Sequence, residues 1–399
     1  MRAATKFFRR TARVELGLSA TLTMAMALPM LILYAIGTLG PFLIRDLHIE
    51  AGWLGYVTMS AFGLAAVLSL GAGPLVERLG SRRGLCMLFA AVALAYAAIL
   101  AVPGFGGVIV AVAICGVAQA LSNPVTNLLI AQRVAPEKKA LIVGLKQSGV
   151  QIGALFAGLA LPGLAAHYGW RAALGLIAPV SLLMCLLSPL SAPAPARRAT
   201  QAKGRAALRP NGLLWRLMGV QGCVGMALSS FVTFLPLFAT LHGTTPAQAG
   251  LMVATFGATG IFSRVVLTPL GARLKDESQL LLALLAFAAL AVGITMCSDS
   301  TTHWMLWAGA AGMGLTAVAT NAIAMGMLLR DPIFGGAATA SGLLSAAFFG
   351  GFAVGPPLCG AVINSRYGFS GAWTLAIAVL MAGCAIALSL ARVRARRDR

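Results

Sequence analysis

Apolar residues run in unbroken blocks of about twenty or more along nearly the whole chain, and polar residues collect in the gaps between them. Twelve such blocks stand at about 16–43, 52–72, 84–102, 106–132, 140–165, 171–190, 213–240, 247–270, 279–297, 304–329, 337–363 and 371–391. Each is long enough to cross hydrocarbon as a helix. Hydrophobicity is continuous within a block. Strands of a membrane barrel would alternate in polarity over about ten residues, so helices are favoured. The pattern predicts an all-α integral membrane protein with 12 transmembrane helices. The basic stretch 1–13 before the first block resembles a secretory leader. The block that follows is too long for a leader core, contains Pro29 and lacks a clear small-residue cleavage site, so it reads as a retained span.

The one long polar stretch between spans is 191–211, SAPAPARRATQAKGRAALRPN. It divides a first set of six spans (1–190) from a second (212–399), with 191–211 as a cytoplasmic linker. The two sets echo each other. Phe62-Gly63 recurs as Phe256-Gly257. Pro74-Leu75-x-x-Arg78-Leu79 recurs as Pro269-Leu270-x-x-Arg273-Leu274, and Gly116 and Asn123 recur as Gly314 and Asn321. Such faint self-similarity at a constant offset is what two pseudo-symmetric six-helix bundles would leave.

Charge then orients the spans. Of 30 Lys and Arg, all but Arg45, Arg171, Arg366, Lys146 and Arg264 fall on one side. That side holds both tails and the linker with Arg197, Arg198, Lys203, Arg205 and Arg209. The positive-inside rule makes both termini cytoplasmic. The net charge of +20 is therefore mostly a topology signal, and no nucleic-acid partner is expected. Only 10% of residues are charged, against roughly 25% in soluble domains. The seven cysteines are scattered and form no CxxC or Cys/His cluster. No catalytic cluster, metal spacing or phosphate loop is visible, so no enzyme activity, cofactor or metal is expected.

The stretch Gly73-Pro74-Leu75-Val76-Glu77-Arg78-Leu79-Gly80-Ser81-Arg82-Arg83 resembles G-x-L-x-D-R-x-G-R-R, the signature loop of the major facilitator superfamily of secondary transporters. Glu77 replaces the usual Asp, Ser81 replaces a basic residue, and the second copy has Ala272 where the acid would be. The resemblance implies alternating access between two six-helix halves in a bacterial cytoplasmic (inner) membrane, by a monomer. It implies a cytoplasmic gate at Gly73, Glu77, Arg78, Gly80, Arg82 and Arg83, in which the acid caps a helix of the other half. A narrower stretch, Gly144-Leu145-Lys146-Gln147-Ser148-Gly149 with Gly169-Trp170-Arg171, is similar to cyanate-permease-like bacterial carriers, a group of diverse solutes.

Three polar sets interrupt the apolar spans. Gln119, Asn123 and Asn127 recur every four residues and so share a helix face. They read either as glue between helices or as a cavity wall, with Asn321 as the mirror position. Gln147 and Gln151 share a face of span 5, beside Lys146, which lies about 10 Å inside if the helix begins near Lys139. Lys146 either snorkels to the headgroups or faces the interior. No carboxylate in any span is available to neutralise it, and an anionic solute is the simple counter-charge. Arg264 reads as part of the cytoplasmic basic belt. Tyr34 and Ser345 complete the expected substrate site. All ten acids lie at span ends or in loops, which disfavours proton symport through an embedded carboxylate. Deprotonation of Lys146, facilitated diffusion and exchange stay open. The expected function is transport of a small organic or inorganic anion. The alternatives are efflux of amphipathic compounds and a non-transporting membrane receptor or scaffold.

Overall fold

The computed structural model describes residues 2–134, 139–192, 211–271, 276–299, 301–334 and 337–397. Lys138, Arg197, Arg198, Lys203, Arg205, Arg209, Arg273 and Lys275 lie outside the described residues. Every regular element among the described residues is helical. Six precede the linker: α1 (Arg2–Leu47), α2 (Leu54–Ala101), α3 (Gly104–Arg133), α4 (Lys139–Tyr168), α5 (Trp170–Gly175) and α6 (Ile177–Ser191). Six follow it: α7 (Gly212–Leu241), α8 (Pro246–Gly271), α9 (Glu277–Met296), α10 (Trp304–Arg330), α11 (Ala337–Ile363) and α12 (Gly368–Arg397).

Eleven stretches of the described residues are long and apolar enough to cross a membrane. The expected twelve differ by one because spans 2 and 3 are fused in α2, which has 48 residues. Its one interior residue off helical geometry is Gly80, at φ 76° and ψ 164°. A left-handed φ suits glycine and breaks the hydrogen-bond ladder, so the chain reverses there. The signature stretch is thus mostly helical up to Leu79 rather than an open loop. Span 6 shows the opposite departure: it is divided into α5 and α6 at Leu176. Parted at Gly80 and joined at Leu176, the described helices make twelve stretches of membrane-spanning length. The start of α1, the Gly80 turn, Ser191, Gly212 and the end of α12 share one end of the molecule, here the terminal end.

The repeat seen in the sequence is also structural. Gly169 and Gly368 follow Tyr168 and Tyr367, both adopt positive φ, and they open the sixth and twelfth crossings. In the first half this corner is pinned. Trp170 Nε1 donates to Asp46 Oδ2 at 2.8 Å. Arg171 stacks on Trp170 and donates to the carbonyls of Ile99 and Val102 at the end of α2. Those carbonyls have no helical donor, and a cation suits a helix C-terminus. In the second half Arg394 of α12 reaches Asp276 at 3.3 Å, Asp331 at 3.2 Å and Glu277 at 3.9 Å. It ties the start of α9 and the end of α10 to α12.

The halves meet at the far end, opposite the termini. Asn364 Nδ2 donates to Glu50 Oε2 at 2.6 Å, and Gly52 N donates to Asn364 Oδ1 at 3.0 Å. Thr58 and Thr233 hydroxyls bond at 3.2 Å, fully buried. The backbones touch here. A Cβ at Gly55 of α2 would collide with the carbonyl of Pro356 in α11. One at Gly37 of α1 would collide with that of Val232 in α7. This contact closes the far end just beyond Tyr34.

Candidate functional site

Beneath that closure is a chamber lined by both halves of the chain. The helical period dictates its walls. Met26, Met30 and Tyr34 recur every four residues on α1, as Gln119 and Asn123 do on α3 and Gln147 and Gln151 do on α4. From the second half come Leu228, Arg264, Val318, Asn321, Ser345, Phe348, Phe349 and Phe352.

Seven of the nine residues expected at the substrate site line this chamber: Tyr34, Gln119, Asn123, Gln147, Gln151, Asn321 and Ser345. Lys146 and Asn127 do not. Lys146 is 1% exposed and does not snorkel. Its Nζ donates to Asn127 Oδ1 at 2.6 Å, Thr126 Oγ1 at 2.9 Å and Asn123 Oδ1 at 3.5 Å. An ammonium has three protons to donate, and all three are spent on α3. The stripe on α3 therefore holds the lysine on one side and faces the chamber on the other, through Gln119 and Asn123.

The cation on the chamber wall is Arg264. It sits on α8, seven residues before the helix ends at Gly271, about 10 Å from that end. The basic-belt expectation gives way because its guanidinium turns inward. Its Nη1 donates to Gln147 Oε1 at 2.7 Å, across the two halves. Its Nε is buried and has no partner. Gln147 Nε2 donates to Asn123 Oδ1 at 3.4 Å, so Arg264, Gln147, Asn123 and Lys146 form one chain of contacts. One turn along α4, Gln151 Nε2 donates to Tyr34 Oη at 3.4 Å, while its Oε1 is buried and without a partner. Asn321 donates to Gln221 Oε1 at 3.1 Å, and Gln119 reaches Met30 Sδ at 3.3 Å.

No carboxylate among the described residues pairs with Lys146 or Arg264; the ion pairs found there all belong to Arg394. A buried cation without a counter-charge is costly in a low-dielectric setting. The far-end acid Asp299 is no substitute. Its carboxyl accepts the Thr301 hydroxyl and backbone N–H and then those of Thr302, which hold it well below the usual carboxylate range. No group of three or more His, Cys, Asp or Glu among the described residues is arranged to hold a metal.

The sequence profile of the Major Facilitator Superfamily matches residues 18–332. The chain belongs to the major facilitator superfamily. It is 27% identical over 376 residues to the "Uncharacterized transporter YycB" of Bacillus subtilis (strain 168), covering 92% of this chain and 90% of that one. It is 25% identical over 334 residues to the "Uncharacterized MFS-type transporter MT3072" of Mycobacterium tuberculosis (strain CDC 1551 / Oshkosh), covering 80% and 72%. Among solved structures, a bacterial homolog of the human lysosomal transporter Spinster, inward-facing and occupied, aligns with a TM-score of 0.74 at 17% identity. It covers 94% of this chain and 96% of that one. The unoccupied form of the same homolog aligns at 0.73. The major facilitator fold and a multi-pass membrane transporter, not an enzyme, follow for this chain.

Of the expected gate residues, Glu77, Arg78, Arg82 and Arg83 are exposed at the terminal end. Gly80 makes the reversal, and Gly73 is helical with no atom within 4 Å of where a Cβ would stand. Among the described residues no ion pair joins Glu77 to the second half. Ser81 Oγ donates to Gln132 Oε1 at 2.7 Å, which fastens the turn to the end of α3.

The aromatic wall on α11 was not among the expected site residues. In a membrane helix a phenylalanine suits lipid and protein equally. Only the packing of α11 on α2 and α7 turns Phe348, Phe349 and Phe352 inward.

Proposed function

We propose that this transporter carries a small anionic solute across the bacterial cytoplasmic membrane by alternating access between residues 1–190 and 212–399, which the linker 191–211 joins. The observation that carries this reading is Arg264: a buried guanidinium on the chamber wall, one nitrogen held by Gln147 and another without a partner. An anion supplies the missing charge and the missing acceptor together. Gln119, Asn123, Gln147, Gln151, Tyr34, Asn321 and Ser345 complete the contact surface. Lys146 stands behind Asn123 and donates to it, and Asn127 in turn holds the Lys146 amine. The positive-inside bias puts the terminal end in the cytoplasm. The conformation is then closed on the outside. Opening that side requires the terminal end to close, which brings Glu77, Arg78, Arg82 and Arg83 towards the second half. Efflux of a cationic drug is disfavoured by the guanidinium on the wall.

The test is a thermal-shift screen of the purified protein against small anions, sugars and cationic drugs, because a ligand that binds the native state raises its stability. Anions alone should raise the melting temperature, and Arg264→Gln should abolish the effect. A shift given only by cationic drugs, or an anion shift untouched by Arg264→Gln, overturns the proposal.

A further inference from the structure

The chamber is two-faced, and the division specifies more than a negative charge. Resting on the anion reading above, we infer that the solute is an organic monoanion with a flat apolar or aromatic body and a hydrogen-bond donor about one helical turn from its charge.

Three observations support this. The charge on the chamber wall is single. Lys146 lies behind the wall with its three protons committed to α3, which leaves Arg264 as the wall's one cation among the described residues. Second, the part of the wall that α11 supplies is aromatic. Phe348 and Phe352 stand with ring centroids 4.6 Å apart, Phe349 lies 6.1 Å from Phe348, and all three line the chamber. Phe62 of α2 backs Phe352 at 4.8 Å, so the rings are fixed from behind. Such a face gives an inorganic ion nothing and gives a ring an offset or edge-on partner.

Third, two buried polar atoms on one seam have no partner: Arg264 Nε, a donor, and Gln151 Oε1, an acceptor. Gln147 meets Arg264 on this seam, and Gln151 packs on Gly260, where a Cβ would stand 2.6 Å from its Cγ. Residues 147 and 151 on α4, and 264 and 260 on α8, are each one turn apart, which separates the two pairs by about 6 Å. Unmatched buried polar atoms are rare in native proteins and call for a partner. A carboxylate at Arg264 and a hydroxyl or N–H at Gln151 satisfy both, with the body of the ligand against the phenylalanines.

The experiment measures dissociation constants on the full-length protein in detergent for nitrate, acetate, benzoate, 4-hydroxybenzoate and 4-hydroxybenzamide. Benzoate should bind about tenfold more tightly than acetate or nitrate, and 4-hydroxybenzoate more tightly still. The neutral amide should not bind measurably. Phe352→Ala should bring benzoate down to acetate, and Gln151→Leu should bring 4-hydroxybenzoate down to the level of benzoate measured on that same variant. The ligand series on the unaltered protein decides the matter even where a variant fails to fold. Nitrate or acetate binding as tightly as benzoate, dependent on Arg264, overturns this inference and leaves the anion reading standing. No binding by any anion overturns both.

Discussion

Arg264 Nη1 lies 2.7 Å from Gln147 Oε1, a hydrogen bond that crosses from the second half of the chain to the first at the wall of the chamber. On the proposed function, a residue so placed would touch the solute and the contact between the halves. Arg264→Gln keeps a hydrogen-bonding side chain and removes the charge. A charge-assisted hydrogen bond contributes about 1.5–3 kcal/mol, so anion affinity should fall roughly tenfold to a hundredfold. Arg264→Lys should retain part of it, because an ammonium keeps the charge and loses the fork. Titration calorimetry on both variants checks this order.

Lys146 separates from Arg264 in kind. Lys146→Met removes three hydrogen bonds to α3, leaving Asn127 and Thr126 without this donor and Asn123 with Gln147 alone. The expected cost is on the order of 1–3 kcal/mol of stability, seen as a lower melting temperature. Anion affinity should fall only severalfold, through a loosened Asn123. A loss of binding as large as that of Arg264→Gln with an unchanged melting temperature would place the amine in direct contact with the solute.

The far-end closure relies on small residues. Gly55→Val would force a side chain into the backbone carbonyl of Pro356, which the closed far end cannot accommodate. The population should move towards the conformation open at that end. With native cysteines replaced and Thr233→Cys added, Gly55→Val should make residue 233 react with an impermeant thiol reagent at least tenfold faster from outside. Asn364→Ala, which loses its bonds to Glu50 and Gly52, should act in the same direction and more weakly.

Arg394 is expected to matter for the second half as a body rather than for the solute. Arg394→Ala leaves Asp276 and Asp331 facing each other without their shared cation. The melting temperature should drop by several degrees, with the dissociation constant for anions unchanged within about twofold. Thermal unfolding and a binding titration on the same preparation read both quantities.

Much of this was legible in the residues. Continuous apolar blocks pointed to the helical class, and the recurrence of Phe62-Gly63 and Asn123 at offsets of 194 and 198 residues disclosed the repeat. The four-residue spacing of Gln119 and Asn123 placed a polar face on α3 before its partners were known. Three features needed the third dimension. The helical signal continues almost through the signature stretch, so a single positive φ at Gly80 decides the reversal. Arg264 and Lys146 lie at equal depths from their helix ends, yet one points into the chamber and the other into a neighbouring helix. Spacing along a helix does not give its rotation against its neighbours, and that rotation alone decides the difference. For the same reason the residue type of Phe348, Phe349 and Phe352 does not tell lipid from chamber until α11 is packed.

The most direct measurement is uptake of radiolabelled benzoate into proteoliposomes by the unaltered protein and by Arg264→Gln, with the fold of each checked by its melting temperature. Saturable uptake by the first, and an initial rate at least about tenfold lower for the folded variant at subsaturating benzoate, is the predicted result. Equal uptake by both, or transport of a cation while every anion is ignored, would contradict it.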